Sequence, residues 1–441
     1  MIRRIIHTSP GKIIFLSVIG TILAGTALLA LPFARTQPIA LFDLFFTATS
    51  ATCVTGLLTI PLDHFTLFGH AVILILIQIG GLGLITLSLA IMSLFIELGY
   101  STQVIAVQLL ELESWQNIKR LIAFIIMLTL SLELIGTLCT FISLSQVLPI
   151  GTALFYSLFH AVSSFCNAGF TLFTLPITSY PYAPILLITT TMLMFLGGLG
   201  FVTCHEIMYA WAAQRKGLRY TISLHSKIAL YGSLVIILAG TLIFLSLEQS
   251  NIAQTSPLAF LTALFNIVSF RSTGFSTIAF TALHPATLLL IMILAFIGTA
   301  PASTGSGVKV TTITVFLATI QATITGRSSV DIRMRRIPLE QVFKAFTIIS
   351  LSILWILFTT FFLLITERTI PFSDLLFESV SAYATLGVSS GITASLTYIG
   401  KLIIIASMII GRVGSLTLIL ALRSTKKPTE YTYPEERIML S

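Results

Sequence analysis

The sequence predicts an all-α integral membrane protein with four parallel repeats around a central pore, each consisting of a span, a re-entrant pore helix and a second span. Composition is the first observation: 56% of the residues are hydrophobic and 9% are charged, and the mean hydropathy is +1.01, which is typical of chains that lie in a bilayer. The second observation is a short segment that occurs four times, each time after a short apolar stretch. Each copy ends in glycine: Gly56, Gly169, Gly274 and Gly387.

The spacing of these glycines predicts the organisation of the chain. They lie 113, 105 and 113 residues apart, so the 441 residues divide into units of similar length. The predicted pore repeats are residues 1–100, 101–218, 219–332 and 333–428, followed by a cytoplasmic tail at 429–441.

Each repeat contains two long apolar runs with a shorter one between them. About 20 residues are needed to cross roughly 30 Å of hydrocarbon, so the long runs predict eight transmembrane helices and the short runs predict four pore helices. The predicted spans are Ile13–Phe33, Ala71–Ile96, Leu121–Leu144, Ile185–Trp211, Ile228–Leu247, an interrupted Ala286–Thr323, Phe343–Ile365 and Ile399–Leu422. The predicted pore helices are Phe42–Ser50, Ala153–Phe165, Leu258–Phe270 and Ser373–Tyr383.

Basic residues predict the orientation. Of the 24 Lys and Arg residues, 18 lie between the repeats or near the termini, and such residues lie on the cytoplasmic side of a membrane. Arg35, Arg368 and Lys401 flank the short helices, which places those helices on the outer side. We therefore expect a multi-pass protein with both termini in the cytoplasm.

The four glycine segments are the candidate ion-binding site. A short helix that enters from outside and ends near the middle of the membrane directs its partially negative C-terminus at the pore centre, where it attracts cations. Glycine leaves the backbone free to turn carbonyl oxygens toward a dehydrated cation. The candidate residues are each glycine and the residue before it: Thr55, Gly56, Ala168, Gly169, Thr273, Gly274, Leu386 and Gly387.

The run from Gly298 to Lys309 interrupts an apolar stretch with small and polar residues and with Pro301. Such a segment cannot face lipid as an unbroken helix, so it should line a wet cavity. It lacks the spacing of a phosphate-binding loop, because Val308 separates Gly307 from the lysine. Nucleotide binding is therefore not predicted here.

The glycine segments, together with the glycine-rich stretches at 80–83 and 197–200, resemble the Trk, Ktr and HKT superfamily of potassium transporters. The resemblance covers essentially the whole chain. It is strongest to the Ktr-type membrane subunit, because the first unit starts near residue 1 and residues 433–441 are similar to a Ktr-type tail.

This resemblance implies potassium uptake by a channel-like, ion-translocating subunit, with potassium as the substrate at the four glycines. Sodium-preferring HKT members typically have serine at the first filter position, where this chain has Gly56. The resemblance also implies an intramembrane gate beneath the filter. The expected gate residues are Ala302, Ser303, Thr304, Gly305, Ser306, Gly307, Lys309 and Arg412.

Arg271 and Arg412 are basic residues within the predicted membrane region. A guanidinium there is costly and should find polar partners. The resemblance places Arg412 just under the filter, opposite the gating loop, where it would repel cations or bond to loop carbonyls. We expect Arg271 to support the filter from behind, paired with Glu378 or Asp43.

The resemblance implies partners as well. A gate needs a controller, and Ktr-type systems use a cytoplasmic ring of RCK-domain subunits that bind ATP or ADP; residues 327–336 are one docking surface. We also expect a homodimer in the bacterial inner membrane, with the apolar tail Ile438–Leu440 buried between two pores. No cofactor is expected in this chain, and sodium is a candidate activator.

The main alternative is a secondary cation transporter coupled to sodium or protons, which would open a midplane site to each side in turn. Such carriers usually have inverted repeats, whereas these repeats are parallel. An enzyme is not expected: His205-Glu206 begins a zinc-protease pattern, but Tyr209 occupies the position of the second histidine. His160 is expected to be a packed residue. Nucleic-acid binding is not expected, because the basic residues do not alternate with aromatic ones on one face.

Overall fold

A computed structural model describes residues 10–82, 115–173, 177–251 and 258–414, and these residues are mostly helical. The helices are α1 (Pro10–Leu29), α2 (Leu41–Thr52), α3 (Leu67–Gly81), α4 (Trp115–Leu144), α5 (Ile150–Phe165), α6 (Ala183–Gly198), α7 (Phe201–Arg215), α8 (Leu224–Leu247), α9 (Ala259–Phe270), α10 (Pro285–Ile297), α11 (Val310–Ile324), α12 (Leu339–Thr366), α13 (Phe372–Ala384) and α14 (Tyr398–Val413). A small antiparallel hairpin joins β1 (Asp331–Ile332) to β2 (Arg335–Arg336).

Some of these helices are long enough to span a membrane. Among the described residues, three helical segments are long and apolar enough to cross a membrane, Arg120–Leu144, Leu224–Leu247 and Leu339–Thr366, and the bent pair of α6 and α7 is a fourth candidate. The prediction of eight full-length spans is therefore not confirmed. Helices α3 and α14 end near Gly81 and Val413, and the later parts of their predicted spans lie outside the described residues.

The span predicted over Ile185–Trp211 is not one straight helix. Helices α6 and α7 meet at 100°, and the bend falls at Gly200, whose φ of +91° is in the region that favours glycine. A Cβ at Gly200 would also overlap the carbonyl oxygen of Pro301. The bend therefore depends on a segment about a hundred residues further along the chain, which local hydropathy does not register.

The interruption predicted within Ala286–Thr323 is confirmed. Helix α10 ends at Ile297 and α11 begins at Val310. The segment between them, residues 298–309, is hereafter called the intramembrane loop. It includes three residues with positive φ: Gly298, Ala302 and Gly307. Small residues and one proline thus break the helix where the sequence indicated.

The four short helices α2, α5, α9 and α13 lie within a few residues of the predicted pore helices. Pro149 and Pro371 are the N-caps of α5 and α13, as expected for residues that start a helix. Each short helix packs between its own neighbours in the chain: α2 with α1 and α3, α5 with α4 and α6, α9 with α8 and α10, and α13 with α12 and α14. Each short helix therefore forms a compact unit with the helices before and after it in the chain, and these groups are numbered here as units in chain order.

Contacts between units follow a cyclic order. Helix α3 of the first unit packs on α5 of the second, α6 of the second on α9 of the third, and α10 of the third on α13 of the fourth. Helix α14 of the fourth unit then packs on α2 of the first. Each of these contacts involves one of the four short helices, and the last contact returns to the first unit, so the contacts form a closed cycle.

Buried carboxylates join helix ends in the third and fourth units. Glu248 follows α8 and accepts hydrogen bonds from the backbone N–H of His284 (2.9 Å) and the hydroxyl of Thr287. Glu367 follows α12 and accepts from the backbone N–H and hydroxyl of Thr397, at 3.0 and 2.5 Å. A carboxylate at a helix N-terminus satisfies free N–H groups and is favoured by the helix dipole, so these pairs hold α10 and α14 in place.

Candidate functional site

The four predicted glycines share a distinctive pattern of exposure. Each is partly accessible, whereas the residues immediately before and after it are buried. All four have positive φ, from +72° to +94°, a conformation that side chains other than glycine rarely adopt. Each follows the C-terminus of a short helix by a few residues, so a small accessible surface of backbone lies at the end of each helix dipole.

The four glycine segments are neighbours in a closed ring. A Cβ built on Gly56 would overlap the carbonyl oxygen of Ala168, the residue before the second glycine. The same relation holds between Gly169 and the Thr273 carbonyl and is repeated around the ring. The remaining pairs are Gly274 with Leu386 and Gly387 with Thr55. All eight residues predicted as ion-binding are thus brought together, and no side chain fits at the glycines without displacing a neighbouring carbonyl.

Serines near the ends of the short helices hold these segments in shape. The backbone N–H groups of Thr55, Ala168 and Leu386 each donate a hydrogen bond of 2.8 Å to a serine carbonyl five residues earlier. In the third unit, Gly274 N–H donates to Ser269 at 3.1 Å. The serines are Ser50, Ser163, Ser269 and Ser381. Sequence reasoning missed them, although a serine five or six residues before each glycine was a readable signal.

Two of these serines also use their hydroxyl groups to fix the chain beyond the glycine. Ser163 Oγ donates to the carbonyl of Phe170 at 2.7 Å, and Ser381 Oγ donates to that of Val388 at 2.6 Å. The segments of Gly169 and Gly387 are therefore held before and after the glycine. This rigidity suits a site in which backbone groups, rather than mobile side chains, meet the ligand.

The intramembrane loop lies along the bend between α6 and α7. The backbone N–H of Ala300 donates to the Gly198 carbonyl at 3.0 Å, and that of Thr304 donates to Gly197 at 3.1 Å. In return, Phe201 N–H donates to the carbonyl of Ala302 at 2.8 Å. The loop thus satisfies backbone groups that the break in the helix leaves without partners.

Arg412 holds the centre of this loop. Its guanidinium donates to the Thr304 carbonyl at 2.5 Å and to Ser306 Oγ at 3.2 Å, and it also donates to the carbonyl of Gly80 in α3. Hydrogen bonds from a charged donor are stronger than neutral ones. Arg412 therefore ties the loop to the first and fourth units at once.

Arg271 binds the start of the intramembrane loop. Its hydrogen-bond partners are not the ones that the sequence suggested. Its guanidinium donates to the carbonyl of Gly298 at 2.9 Å and to Ser233 Oγ at 3.3 Å. The expected pairing with Glu378 or Asp43 is wrong, because Glu378 accepts a hydrogen bond from Thr393 and Asp43 pairs with Lys401 at 3.3 Å. Asp43 lies in the first turn of α2 and Glu378 lies within α13, and each has a partner near its own helix.

The other predicted gate residues occupy different positions in the loop. Lys309 reaches back to the carbonyl of Gly305 at 2.8 Å, whereas Ser303 Oγ bonds within the loop to the Ala300 carbonyl at 2.6 Å. Residues 304–306 are buried, and Ala302 is exposed. The predicted gate residues of the loop are thus adjacent in the structure. Those at the centre of the loop, 304–306, are packed, and Ala302 at its turn is exposed.

Histidines that could suggest other chemistry are packing residues. His160 is 1% exposed and its Nε2 lies 2.9 Å from Thr190 Oγ1, as predicted. His205 contacts the ring of Phe124 edge-on. Within the described ranges, His, Cys, Asp and Glu side chains form no group of three or more that could hold a metal ion. The predicted dimer tail Ile438–Leu440 lies outside the described residues.

The fold has helices of membrane-spanning length, a ring of backbone groups, and a loop between α10 and α11 that packs at the bend between α6 and α7. These features are those of a helical membrane transport protein. The family model for TrkH, a cation transport protein, matches residues 12–431, and the chain belongs to this family. It is therefore a cation transport protein of the membrane and not an enzyme.

Three relatives are similar to the chain in sequence, and one solved structure is similar to it in fold. The chain is 36% identical to Ktr system potassium uptake protein B of Vibrio alginolyticus, over 97% of this chain and 94% of that protein. It is 34% identical to the protein of the same name from Bacillus subtilis (98% and 97% covered) and 32% identical to potassium/sodium uptake protein NtpJ of Enterococcus hirae (98% and 97%). The crystal structure of the potassium transporter TrkH from Vibrio parahaemolyticus has the same fold, with a TM-score of 0.73 at 21% identity, over 95% of this chain and 86% of that one.

Proposed function

We propose that this chain is the potassium-conducting subunit of a bacterial uptake system, in which four parallel repeats surround one pore and the glycine segments form its selectivity filter. The alternating exposure of the segments carries this proposal: at each, an accessible glycine lies between buried neighbours. The cyclic contacts between units and glycines support a single axis. Carbonyl oxygens at the ends of four helix dipoles are suited to replace the water shell of a cation.

Potassium is the cation that the names of all three relatives share. The Vibrio and Bacillus relatives are named as potassium uptake proteins, and the Enterococcus relative as a potassium/sodium uptake protein. At the first filter position Gly56 offers backbone carbonyls and no hydroxyl. We therefore propose potassium as the preferred substrate, with sodium as a candidate activator.

The intramembrane loop is the proposed gate. It is anchored at its start by Arg271 and at its centre by Arg412, while Ala302 at its turn remains exposed. A guanidinium in a cation pathway raises the barrier by repulsion, and the loop adds a steric barrier. Opening would then require the arginine to release the Thr304 carbonyl.

A regulatory partner is consistent with the relatives' names. Both Ktr proteins are named as parts of a system, which supports a regulatory partner, and we propose a cytoplasmic ring of RCK-domain subunits that bind ATP or ADP. The β1–β2 hairpin, with exposed Arg333, Arg335 and Arg336, is the proposed docking surface. We further propose a homodimer in the bacterial inner membrane, with both termini in the cytoplasm on the side rich in basic residues.

Potassium flux into proteoliposomes tests this function. We expect the purified chain to conduct potassium down an imposed gradient, and Gly169→Ala to abolish most of the flux, because a Cβ there would overlap the Thr273 carbonyl. Gly151→Ala is the matched control, since that glycine lies in the first turn of α5 with open space around it. Normal flux in Gly169→Ala would contradict the filter. A fixed ratio of potassium to sodium or protons would indicate a coupled transporter instead.

A further inference from the structure

Asn167 joins the intramembrane loop to the ring of glycine segments. Its amide nitrogen donates to Thr304 Oγ1 at 2.7 Å, and its amide oxygen accepts from Thr273 Oγ1 at 2.6 Å. The side chain is 2% exposed. One buried amide therefore connects the loop with the filter segments of two units, two residues before Gly169 and one residue before Gly274.

The loop end of this connection is fully engaged. Thr304 is 0% exposed. Its hydroxyl donates to the Phe165 carbonyl at 3.0 Å while it accepts from Asn167, and its own carbonyl accepts from Arg412. Because the hydroxyl has one proton and gives it to Phe165, it acts as the acceptor toward the amide. Any displacement of the loop centre must break these bonds together.

The filter end is sensitive to the same side chain. Asn167 has a φ of +59°, a left-handed conformation that asparagine tolerates better than most residues. The residue that follows, Ala168, presents its carbonyl to Gly56, and Thr273 presents its carbonyl to Gly169. The amide of Asn167 therefore positions both residues. It holds Thr273 directly, through the hydrogen bond from the Thr273 hydroxyl, and it holds Ala168 through the peptide bond that joins Ala168 to Asn167.

The other units lack this arrangement in the described part of the chain. Val54 stands at the equivalent position in the first unit, Ser272 in the third and Thr385 in the fourth. Val54 is apolar, and the hydroxyls of Ser272 and Thr385 are buried without a hydrogen-bond partner. The link between loop and filter is therefore made in the second unit by a side chain of the right length and with both a donor and an acceptor.

We propose that Asn167 is a positioning residue that transmits movement of the loop to the filter, so that the state of the gate sets the preference for potassium over sodium. This inference rests on the proposed function. When the loop moves, Asn167 loses its donor contact with Thr304. The carbonyls of Ala168 and Thr273 are then held less firmly, and a loosened ring discriminates less between cations of different size.

Thr304→Val tests the link, because valine keeps the shape of threonine and removes the hydroxyl. We expect the potassium-to-sodium permeability ratio, measured from reversal potentials in planar bilayers, to fall roughly fivefold, the factor expected for one hydrogen bond of about 1 kcal/mol. Asn167→Leu should lower the ratio at least as far, because it also removes the contact with Thr273, and the double variant should fall no further than Asn167→Leu alone. Thr304→Ser should restore the ratio. Thr314→Val, which removes a hydroxyl bonded within α11, should leave it unchanged.

An unchanged reversal potential in Thr304→Val, whatever happens to the size of the current, would overturn the proposal, because gate and filter would then act independently. A second readout keeps this result separate from failure of the proposed function. The unfolding midpoint in detergent should rise with potassium concentration if the ring binds the ion, and Thr304→Val should require several-fold more potassium for the same rise. Equal dependence in both proteins would refute the link even if no current were observed.

Discussion

Arg412 donates a hydrogen bond of 2.5 Å to the carbonyl oxygen of Thr304. This contact joins α14, the last helix described, to the middle of the loop that interrupts the third unit, 108 residues earlier in the chain. A guanidinium is expensive to place within a membrane, and its three donor contacts to Thr304, Ser306 and Gly80 compensate for that cost. The same contacts make the loop dependent on one side chain.

Replacement of Arg412 by glutamine should open the gate. The variant loses charge-assisted hydrogen bonds worth about 1.5–3 kcal/mol each and removes a positive charge that repels cations, so both effects raise the flux. We expect more than about a tenfold increase in potassium flux into proteoliposomes in the absence of any regulatory subunit. Lys344→Gln is the control, because that exposed lysine pairs with Glu340 one helical turn away, a contact worth little. Unaltered flux in a folded Arg412→Gln protein would argue against the arginine as a gate element.

The bend at Gly200 offers a more selective test of the loop. Gly200→Ala introduces a Cβ that overlaps the Pro301 carbonyl and also strains a residue with a φ of +91°. Gly217→Ala strains a comparable φ of +70° but meets open space. Both variants should lower stability by about 1–2 kcal/mol through the backbone, measured as a shift in the unfolding midpoint.

The two glycine variants should differ in flux. Gly200→Ala displaces the loop, so we expect basal potassium flux to rise several-fold, whereas Gly217→Ala should conduct like the unchanged protein. Equal flux in the two would mean that the bend does not hold the loop closed.

Gly56→Ser should reduce the preference for potassium. The overlap with a neighbouring carbonyl is smaller at Gly56 than at the other three glycines, so a serine is best tolerated there. Its hydroxyl would enter a ring of backbone carbonyls and admit sodium. The measurement is the reversal potential under opposed potassium and sodium gradients, with Gly151→Ser as control. A reversal potential that does not move would exclude Gly56 from the filter.

Removal of residues 438–441 should convert dimers to monomers. The apolar side chains of Ile438, Met439 and Leu440 would be unfavourable in water, and burial is worth at most roughly 1.5–3 kcal/mol for each. Light scattering in mild detergent should report half the mass, while potassium flux per chain stays the same because each chain is proposed to hold a complete pore. A truncated protein that keeps the dimer mass would exclude the tail as the interface.

Local sequence properties determined the main elements of this protein. The lengths of apolar runs indicated the short helices, because run length measures how far a helix can extend through hydrocarbon. The recurring glycines indicated the segments that form the ring, since glycine adopts a positive φ more readily than other residue types. The small and polar residues around Pro301 predicted the break between α10 and α11. Each of these features is written within one stretch of chain.

Only the tertiary structure decided the contacts between those stretches. The bend at Gly200, the pairing of Arg271 with the Gly298 carbonyl, and the links from Asn167 to Thr273 and Thr304 were not predicted. The repeat spacing predicted that the segments of Asn167 and Thr273 lie in one site, but neither spacing nor hydropathy predicts the hydrogen bond between their side chains or the link to Thr304, which is 137 residues away. Buried polar groups form hydrogen bonds with the partners that helix packing brings within reach. That packing depends on the whole chain.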